Sequence, residues 1–341
     1  MGAIEAKVKA SYFRKLENNR VECLLCPHHC SLMPGETGIC KIRTNFEGTL
    51  IAEMYGFLSA AQVDPIEKKP LYHFFPGKEI LSLGGLGCNF SCDCCQNYHI
   101  SQAGKKDYPR LLNMTVHDIL ELAQKTSGNI GLAYTYNEPS VWYEFMLDIA
   151  VKAKSKDLKN AVVTNGYINK KPLIELLSCM DAFNVDLKVF DPAIHKQFTG
   201  GELKFVLNTL KTVRQEGSHL ELTHLVVPGV NDTLKLFKDM IQWIEAELGP
   251  DTPLHISRYY PRFHRNADAT SSETLYRFAD EAKNKLNYVY VGNLTFHEYQ
   301  NTVCPDCENL VILREGYSIH SVGLTLKGTC KNCGRTIAVV Q

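Results

Sequence analysis

Three cysteines set the chemistry open to this chain. Cys88, Cys92 and Cys95 are spaced C-x3-C-x2-C within Gly84-Gly-Leu-Gly-Cys-Asn-Phe-Ser-Cys-Asp-Cys-Cys-Gln-Asn97, a stretch loosened by Gly84, Gly85 and Gly87. Thiolates this close together converge on one soft metal centre. A [4Fe–4S] cube takes about four ligands, so three from one loop leave an iron open to a small molecule, which catalysis needs and electron storage does not. A zinc knuckle or a ferredoxin-like loop is the blander alternative. Cys94 stands directly before the third ligand and is read as a bystander thiol, with competition for ligation as the other reading.

Twelve of the thirteen cysteines fall into three sets of four. Cys23, Cys26, Cys30 and Cys40 are spaced C-x2-C-x3-C-x9-C around Pro27 and a Gly-containing turn. They read as a small metal-stapled knob with no core of its own. Zinc is placed narrowly ahead of a second iron–sulfur cluster, because a closed four-cysteine site needs no open position. His28 and His29 are read as surface residues. Cys304 and Cys307 pair with Cys330 and Cys333 across 22 residues that include the strand-like Leu310-Val-Ile-Leu313. Paired C-x2-C knuckles joined by a hairpin point to a zinc ribbon or rubredoxin-like module, with zinc preferred to iron. Cys179 is a core thiol. Thiols gathered into such sets indicate metal binding in a reducing cytoplasm rather than a disulfide framework.

The remaining composition excludes more than it specifies. Lys and Arg together number 37, as do Asp and Glu, so no global basic field points to nucleic acid. The first residues are polar, without the apolar stretch of a signal peptide, and no apolar run approaches the roughly 20 residues of a membrane span. A soluble cytoplasmic protein with no membrane partner is expected.

These sites must be positioned by the 341-residue chain, long enough for one large α/β domain plus small modules. Residues 1–45 read as the N-terminal metal knob, entered through a polar helical lead-in over 1–20. Residues 46–79, with Pro and aromatic residues, read as an extended covering segment. From 80 to 292, short apolar runs alternate with amphipathic windows. Strands are expected at 80–85, 130–134, 160–164, 182–188, 220–227 and 254–257, with a seventh at 288–291. Helices are expected at 116–125, 140–154, 172–179, 205–214, 234–246 and 272–285. This is the pattern of a parallel sheet, read as a partial (β/α)6-type TIM-like barrel. Residues 293–341 form the C-terminal module.

Barrel function sits at the C-terminal ends of strands, and polar motifs recur there. Tyr134-Thr-Tyr-Asn-Glu-Pro139 places Glu138 to grip a cationic amine at the mouth. Thr164-Asn-Gly166 is a polar turn. Asp186 and Lys188 point to one side as a charge pair. His255 and Ser257 alternate with apolar neighbours and face inward, and Arg258 and Tyr259 are candidate substrate contacts.

The cluster loop resembles that of the radical S-adenosylmethionine (SAM) superfamily, in which SAM chelates the open iron. The Tyr-Asn-Glu-Pro, Thr-Asn-Gly and Asp-Leu-Lys motifs, with Pro228-Gly-Val-Asn-Asp232 and His255-Ile-Ser-Arg-Tyr-Tyr-Pro261, are similar to relatives of the pyruvate formate-lyase activating enzymes. A closer resemblance, to the radical SAM enzymes of AmmeMemoRadiSam systems, rests on Cys23-Leu-Leu-Cys-Pro-His-His-Cys30, Lys69-Pro-Leu-Tyr-His73, Tyr290-Val-Gly-Asn293 and the C-terminal knuckles. It implies SAM contacts from Asn137, Glu138, Thr164, Asn165, Asp186, Lys188 and His255. It also implies a flavodoxin- or ferredoxin-type one-electron donor and Memo- and AmmeMemo-type partner proteins. Against the activating enzymes proper, Val163 replaces an acidic residue before Thr-Asn-Gly. Three rivals stand beside this reading: a glycyl-radical activase acting on a protein, an RNA-modifying radical enzyme, and a non-enzymatic zinc-knuckle binding module.

Overall fold

Seven of the apolar runs become parallel strands of a single sheet in the computed structural model, which describes residues 7–295 and 298–341. They are β2 (Glu79–Gly84), β3 (Asn129–Tyr134), β4 (Lys159–Thr164), β5 (Ala182–Asp186), β6 (His219–Val226), β7 (Leu254–Arg258) and β8 (Val289–Gly292), neighbours in chain order. An eighth strand, β1 (Ala60–Pro65), runs antiparallel to β2 at the edge, with Ala60 opposite Gly84 and Pro65 opposite Glu79. The covering segment therefore supplies a strand as well as a cover. Its Ala-Ala-Gln-Val-Asp-Pro sequence is barely apolar, and an edge strand needs to bury little.

Helices α1 (Val116–Lys125), α2 (Tyr143–Lys154), α3 (Lys170–Leu177), α4 (Pro192–Thr199), α5 (Leu203–Gln215), α6 (Leu234–Leu248) and α7 (Ser272–Lys283) connect the strands. Local chemistry fixes their ends. Thr115 and Asp118 cap each other's backbone N–H groups at the start of α1. The helix α4, not anticipated, is bounded by the Asp191 cap, Pro192 in its first turn and Gly200 at φ 81°. Among the described residues no helix is long and apolar enough to cross a membrane.

Two expectations at the N-terminus are corrected. The described part of the lead-in is not helical: Phe13–Lys15 pairs antiparallel with Val21–Cys23. The reversal is made at Asn18 and Asn19, both at φ 56°, a left-handed conformation that Asn tolerates better than most residues. A second hairpin, Arg43–Phe46 with Thr49–Ala52, completes the knob and extends past residue 45.

The segment 66–75 acts as a strap across the sheet face turned away from the helices. Ile66, Leu71 and Phe74 pack there on Ile80, Ala133, Ala161 and Ala182, and the short side chains of the three alanines leave room for it. The strap is tied by Glu221 of β6, which is fully buried. Its carboxylate accepts from the backbone N–H of Tyr72 (3.0 Å) and of His73 (2.8 Å), from His219 (2.9 Å) and from His255 (2.6 Å). The strap also holds the C-terminal module. Phe75 N–H donates to the Val340 carbonyl and Val340 N–H to the His73 carbonyl. The Arg314 guanidinium donates to the Tyr72 carbonyl at 2.7 Å. Burial disfavours the Glu221 carboxylate, but the two histidines outweigh it and hold the carboxyl well below the usual range.

Glu221→Gln is expected to destabilise the protein by about 3 kcal/mol, because one amide cannot serve four donors; the anaerobic thermal midpoint reads this. Since the folded pKa lies below the unfolded value of about 4.3, the stabilisation is complete above that pH. It is lost as pH falls towards the folded value, and the midpoint of the Gln variant should lack this acid-side decline.

Candidate active site

The cluster loop leaves β2 through glycines that nothing larger could replace. A Cβ on Gly85 would sit 2.6 Å from the Trp142 ring. Gly87 lies at φ 81°, and a Cβ there would come within 2.2 Å of the Cys40 carbonyl oxygen. Asn137 staples this turn from the next strand end: its Oδ1 accepts from Gly85 N–H at 3.0 Å and its Nδ2 donates to the Gly87 carbonyl at 2.8 Å. These two bonds let Asn137 position the loop, and Asn137 also lines the cavity that holds the three thiols.

Cys88, Cys92 and Cys95 line one cavity of about 330 Å³ together with Cys94, Glu138, Thr164, Asn165, Asp186 and Lys188. Cys88 Sγ accepts from Phe90 N–H at 3.3 Å and lies 3.8 Å from Asn165 Nδ2. Cys95 Sγ lies 3.1 Å from Ser101 Oγ. Such donors suit thiolate or sulfide sulfur, and this donor set around an open cavity fits a metal–sulfur cluster with one face free.

Glu138 is buried, and its two oxygens accept from Ser140 N–H (3.0 Å), Thr164 Oγ1 (2.7 Å) and Asn165 N–H (2.7 Å). Burial raises its pKa against these donors. A carboxylate has about four acceptor positions, which leaves one for an ammonium. Asn165 spends its amide on Asn89 (2.8 Å) and Tyr167 N–H (2.9 Å), bracing the cluster loop. Lys188 Nζ lies 2.9 Å from Asp186 Oδ2, both side chains partly exposed. Burial works against the Lys188 ammonium, but Asp186 and the thiols of Cys92 and Cys94 outweigh it and raise its pKa.

Three expected contacts lie elsewhere. His255 lines a neighbouring cavity of about 600 Å³, with Nε2 taken by Glu221 and its ring against Tyr72 and Tyr290. Arg258 donates to the Thr270 carbonyl at 2.7 Å, and Tyr259, buried, donates to the Arg265 carbonyl at 2.9 Å. Neither lines the two cavities; both brace the loop after β7. In their place stand residues the sequence reading passed over. Lys68, Lys69 and Tyr136 line both cavities and so join them. Asp64 receives Lys69 Nζ (2.7 Å), Lys68 Nζ (3.1 Å) and the Tyr136 hydroxyl (2.6 Å). Burial opposes its charge, yet these donors hold its carboxyl well below the usual range. The Lys69-Pro-Leu-Tyr-His73 motif was the available signal, but nothing in its spacing shows that a strap carries it to the strand ends.

The C-terminal knuckles form a separate centre. The ligand atoms of Cys304, Cys307, Cys330 and Cys333 lie within 4.8 Å of one another, with sulfur pairs at 3.5 and 3.7 Å. Tetrahedral ligation at a Zn–S distance of about 2.3 Å puts sulfurs about 3.8 Å apart. Backbone N–H groups at Cys333 and Asn332 lower the Cys330 thiol below its ordinary value.

The sequence profile described as "Radical SAM superfamily" matches residues 83–244. An uncharacterized protein of Methanocaldococcus jannaschii is 40% identical over 335 residues, covering 97% of this chain and 99% of its own. The 4-hydroxyphenylacetate decarboxylase activating enzyme of Clostridium scatologenes is 24% identical over 151 residues, covering 42% of this chain and 46% of its own, so the match spans less than half of that relative. The crystal structure of a radical SAM methyltransferase from Sphaerobacter thermophilus superposes with a TM-score of 0.51 at 15% identity, over 64% of this chain and 67% of that one, a likeness of fold.

Cys94→Ser is expected to keep the cluster of this loop, whereas Cys88→Ala, Cys92→Ala or Cys95→Ala each removes about four irons; anaerobic iron and sulfide analysis checks this. Asn137→Ala should lower cluster retention several-fold, since two loop hydrogen bonds of about 1 kcal/mol each are lost.

Proposed function

The chain belongs to the radical SAM superfamily, and on that premise we propose that it uses a [4Fe–4S] cluster on Cys88, Cys92 and Cys95 to cleave SAM and activate a substrate in the adjoining chamber. Cys88, Cys92 and Cys95 would hold the cluster, which with bound SAM and one electron would supply the radical chemistry that removes a hydrogen atom from the substrate. The observation that carries the reading is the joined pair of cavities. The one of about 330 Å³ brings the three thiols together with Glu138 and Lys188, and the one of about 600 Å³ opens from it past Lys69 and Tyr136.

In this reading Glu138 accepts the ammonium of the methionine moiety and Lys188 meets its carboxylate, each charge already oriented by fixed neighbours. Thr164 and Asn165 hold Glu138 and the cluster loop, acting on the site through them. Lys68, Lys69 and Asp64 form the polar wall between the two spaces. The strap and the C-terminal module, bound to one another, shield the chamber on the sheet face where solvent would otherwise reach a radical. Zinc in the C-terminal knuckles makes that module a rigid part of the wall. A flavodoxin- or ferredoxin-type protein supplies the electron, and the resemblance to AmmeMemoRadiSam enzymes supports Memo- and AmmeMemo-type partners in a cytoplasmic setting.

A second reading, a glycyl-radical activase, is favoured by the relatives whose names are those of activating enzymes. In it the hydrogen comes from a glycine of a partner protein. A chamber walled by the strap favours instead a substrate that enters from the strand ends.

Anaerobic protein with dithionite and SAM is expected to form 5′-deoxyadenosine and methionine, and Cys92→Ala to form neither. Glu138→Gln should weaken SAM binding roughly tenfold, about 1.4 kcal/mol, read by equilibrium dialysis. SAM left intact by fully reduced wild-type protein would exclude the proposal.

A further inference from the structure

The N-terminal cysteines are built on a different plan from the C-terminal ones. Among the described residues, only Cys304, Cys307, Cys330 and Cys333 bring their ligand atoms within 4.8 Å of one another. No three of the ligand atoms of Cys23, Cys26, Cys30 and Cys40 meet that limit, whereas sulfurs about 3.8 Å apart around one tetrahedral zinc would. In this they match Cys88, Cys92 and Cys95, the thiols of the catalytic loop. The four N-terminal residues surround a small enclosed cavity, about 20 Å³, whose other walls include Leu25, Leu32, Ile39 and Val141. A ring of sulfurs around an apolar space suits a cube of iron and sulfide better than one ion.

Arg43 gives independent support. It lines the same cavity and is only 2% exposed. Its Nη atoms are engaged by Glu144 and by the Ser11 carbonyl, while its Nε is buried with no hydrogen-bond partner. A buried N–H donor left over beside four thiols calls for an acceptor, and cluster sulfur is one.

The ring is also pressed against the catalytic loop. The Cys40 carbonyl oxygen would lie 2.2 Å from a Cβ on Gly87, the residue before Cys88. His28 Nε2 lies 2.7 Å from the backbone oxygen of Asn89, the residue after Cys88, and Asn89 lines the cysteine cavity. Expected on the surface, His28 is instead part of this joint. Cys40, one of the four N-terminal cysteines, thus packs directly against the residue that precedes Cys88.

We propose that Cys23, Cys26, Cys30 and Cys40 hold a second [4Fe–4S] cluster in place of zinc, and that it relays the electron for SAM cleavage to the cluster on Cys88, Cys92 and Cys95. The flavodoxin- or ferredoxin-type donor is oxidised by one electron. The N-terminal cluster goes from 2+ to 1+ and back to 2+, and the catalytic cluster goes from 2+ to 1+; no proton or bond is exchanged. The relay rests on the catalytic reading above, whereas the identity of the N-terminal metal does not.

The test separates the two. Anaerobic wild-type protein should carry about eight irons and one zinc, and both Cys26→Ala and the C88A/C92A/C95A variant about four irons. The triple variant lacks the catalytic site, so its iron reports the N-terminal ring alone whether or not SAM is cleaved by the wild type. Two zincs with about four irons in the wild type, or zinc without iron in the triple variant, overturns the assignment. For the relay, the EPR spectrum of dithionite-reduced wild-type protein should show two spins broadened by magnetic coupling. That broadening should vanish in both variants. Two signals without mutual coupling overturn it.

Discussion

Everything at the mouth of the sheet depends on one tight passage, where the backbone of Gly87 runs between the Cys40 carbonyl of the N-terminal knob and the Asn137 amide from the end of β3. No side chain fits there, so the turn must be glycine, and the turn fixes where Cys88 leaves the strand. Through that contact the knob, the cluster loop and the Tyr-Asn-Glu-Pro motif are set relative to one another by packing and hydrogen bonds rather than by chain connectivity. Asn165 closes the arrangement from β4, bonded to Asn89 and close to Cys88. Several polar residues at the strand ends thus serve the shape of the loop, and Glu138 and Lys188 are left with capacity for a ligand.

The opposite constraint is the strap. A parallel sheet with helices on one face leaves its other face to be covered, and here residues 66–75 cover it with Ile66, Leu71 and Phe74 on a floor of alanines. Such a segment carries backbone polar groups into a buried place, and a single carboxylate, Glu221, together with Val340 and the Arg314 guanidinium, satisfies those of Tyr72, His73 and Phe75. The same strap presents Lys68 and Lys69 to the joined cavities, so the device that covers the sheet also furnishes the chamber wall.

Much of this was legible in the amino-acid sequence. The seven parallel strands were read within a residue or two, because runs such as Ile80-Leu-Ser-Leu83 are mostly apolar and are flanked by turn residues. The cluster loop and the paired knuckles were legible because metal ligands from one loop are close in sequence. What escaped was long-range. His255 alternates inward as expected, but its partner Glu221 lies on another strand, and the ring lines the second cavity rather than the one that holds the three thiols. Arg258 and Tyr259 look like substrate contacts until the Thr270 and Arg265 carbonyls are seen to take them. Asp64, Lys68 and Lys69 reach the site only because β1 pairs with β2, which a weakly apolar hexapeptide does not announce. Spacing alone also could not separate a zinc knob from a cluster knob, since the difference lies in how far apart the folded chain holds four sulfurs.

The measurement that bears most directly on the account is the EPR spectrum of anaerobically reduced protein titrated with SAM. Direct attachment of SAM to an open iron of the Cys88, Cys92 and Cys95 cluster predicts a changed signal on addition of SAM, lost in Cys88→Ala. A cluster signal indifferent to saturating SAM, or protein prepared anaerobically with zinc and no iron, would contradict it.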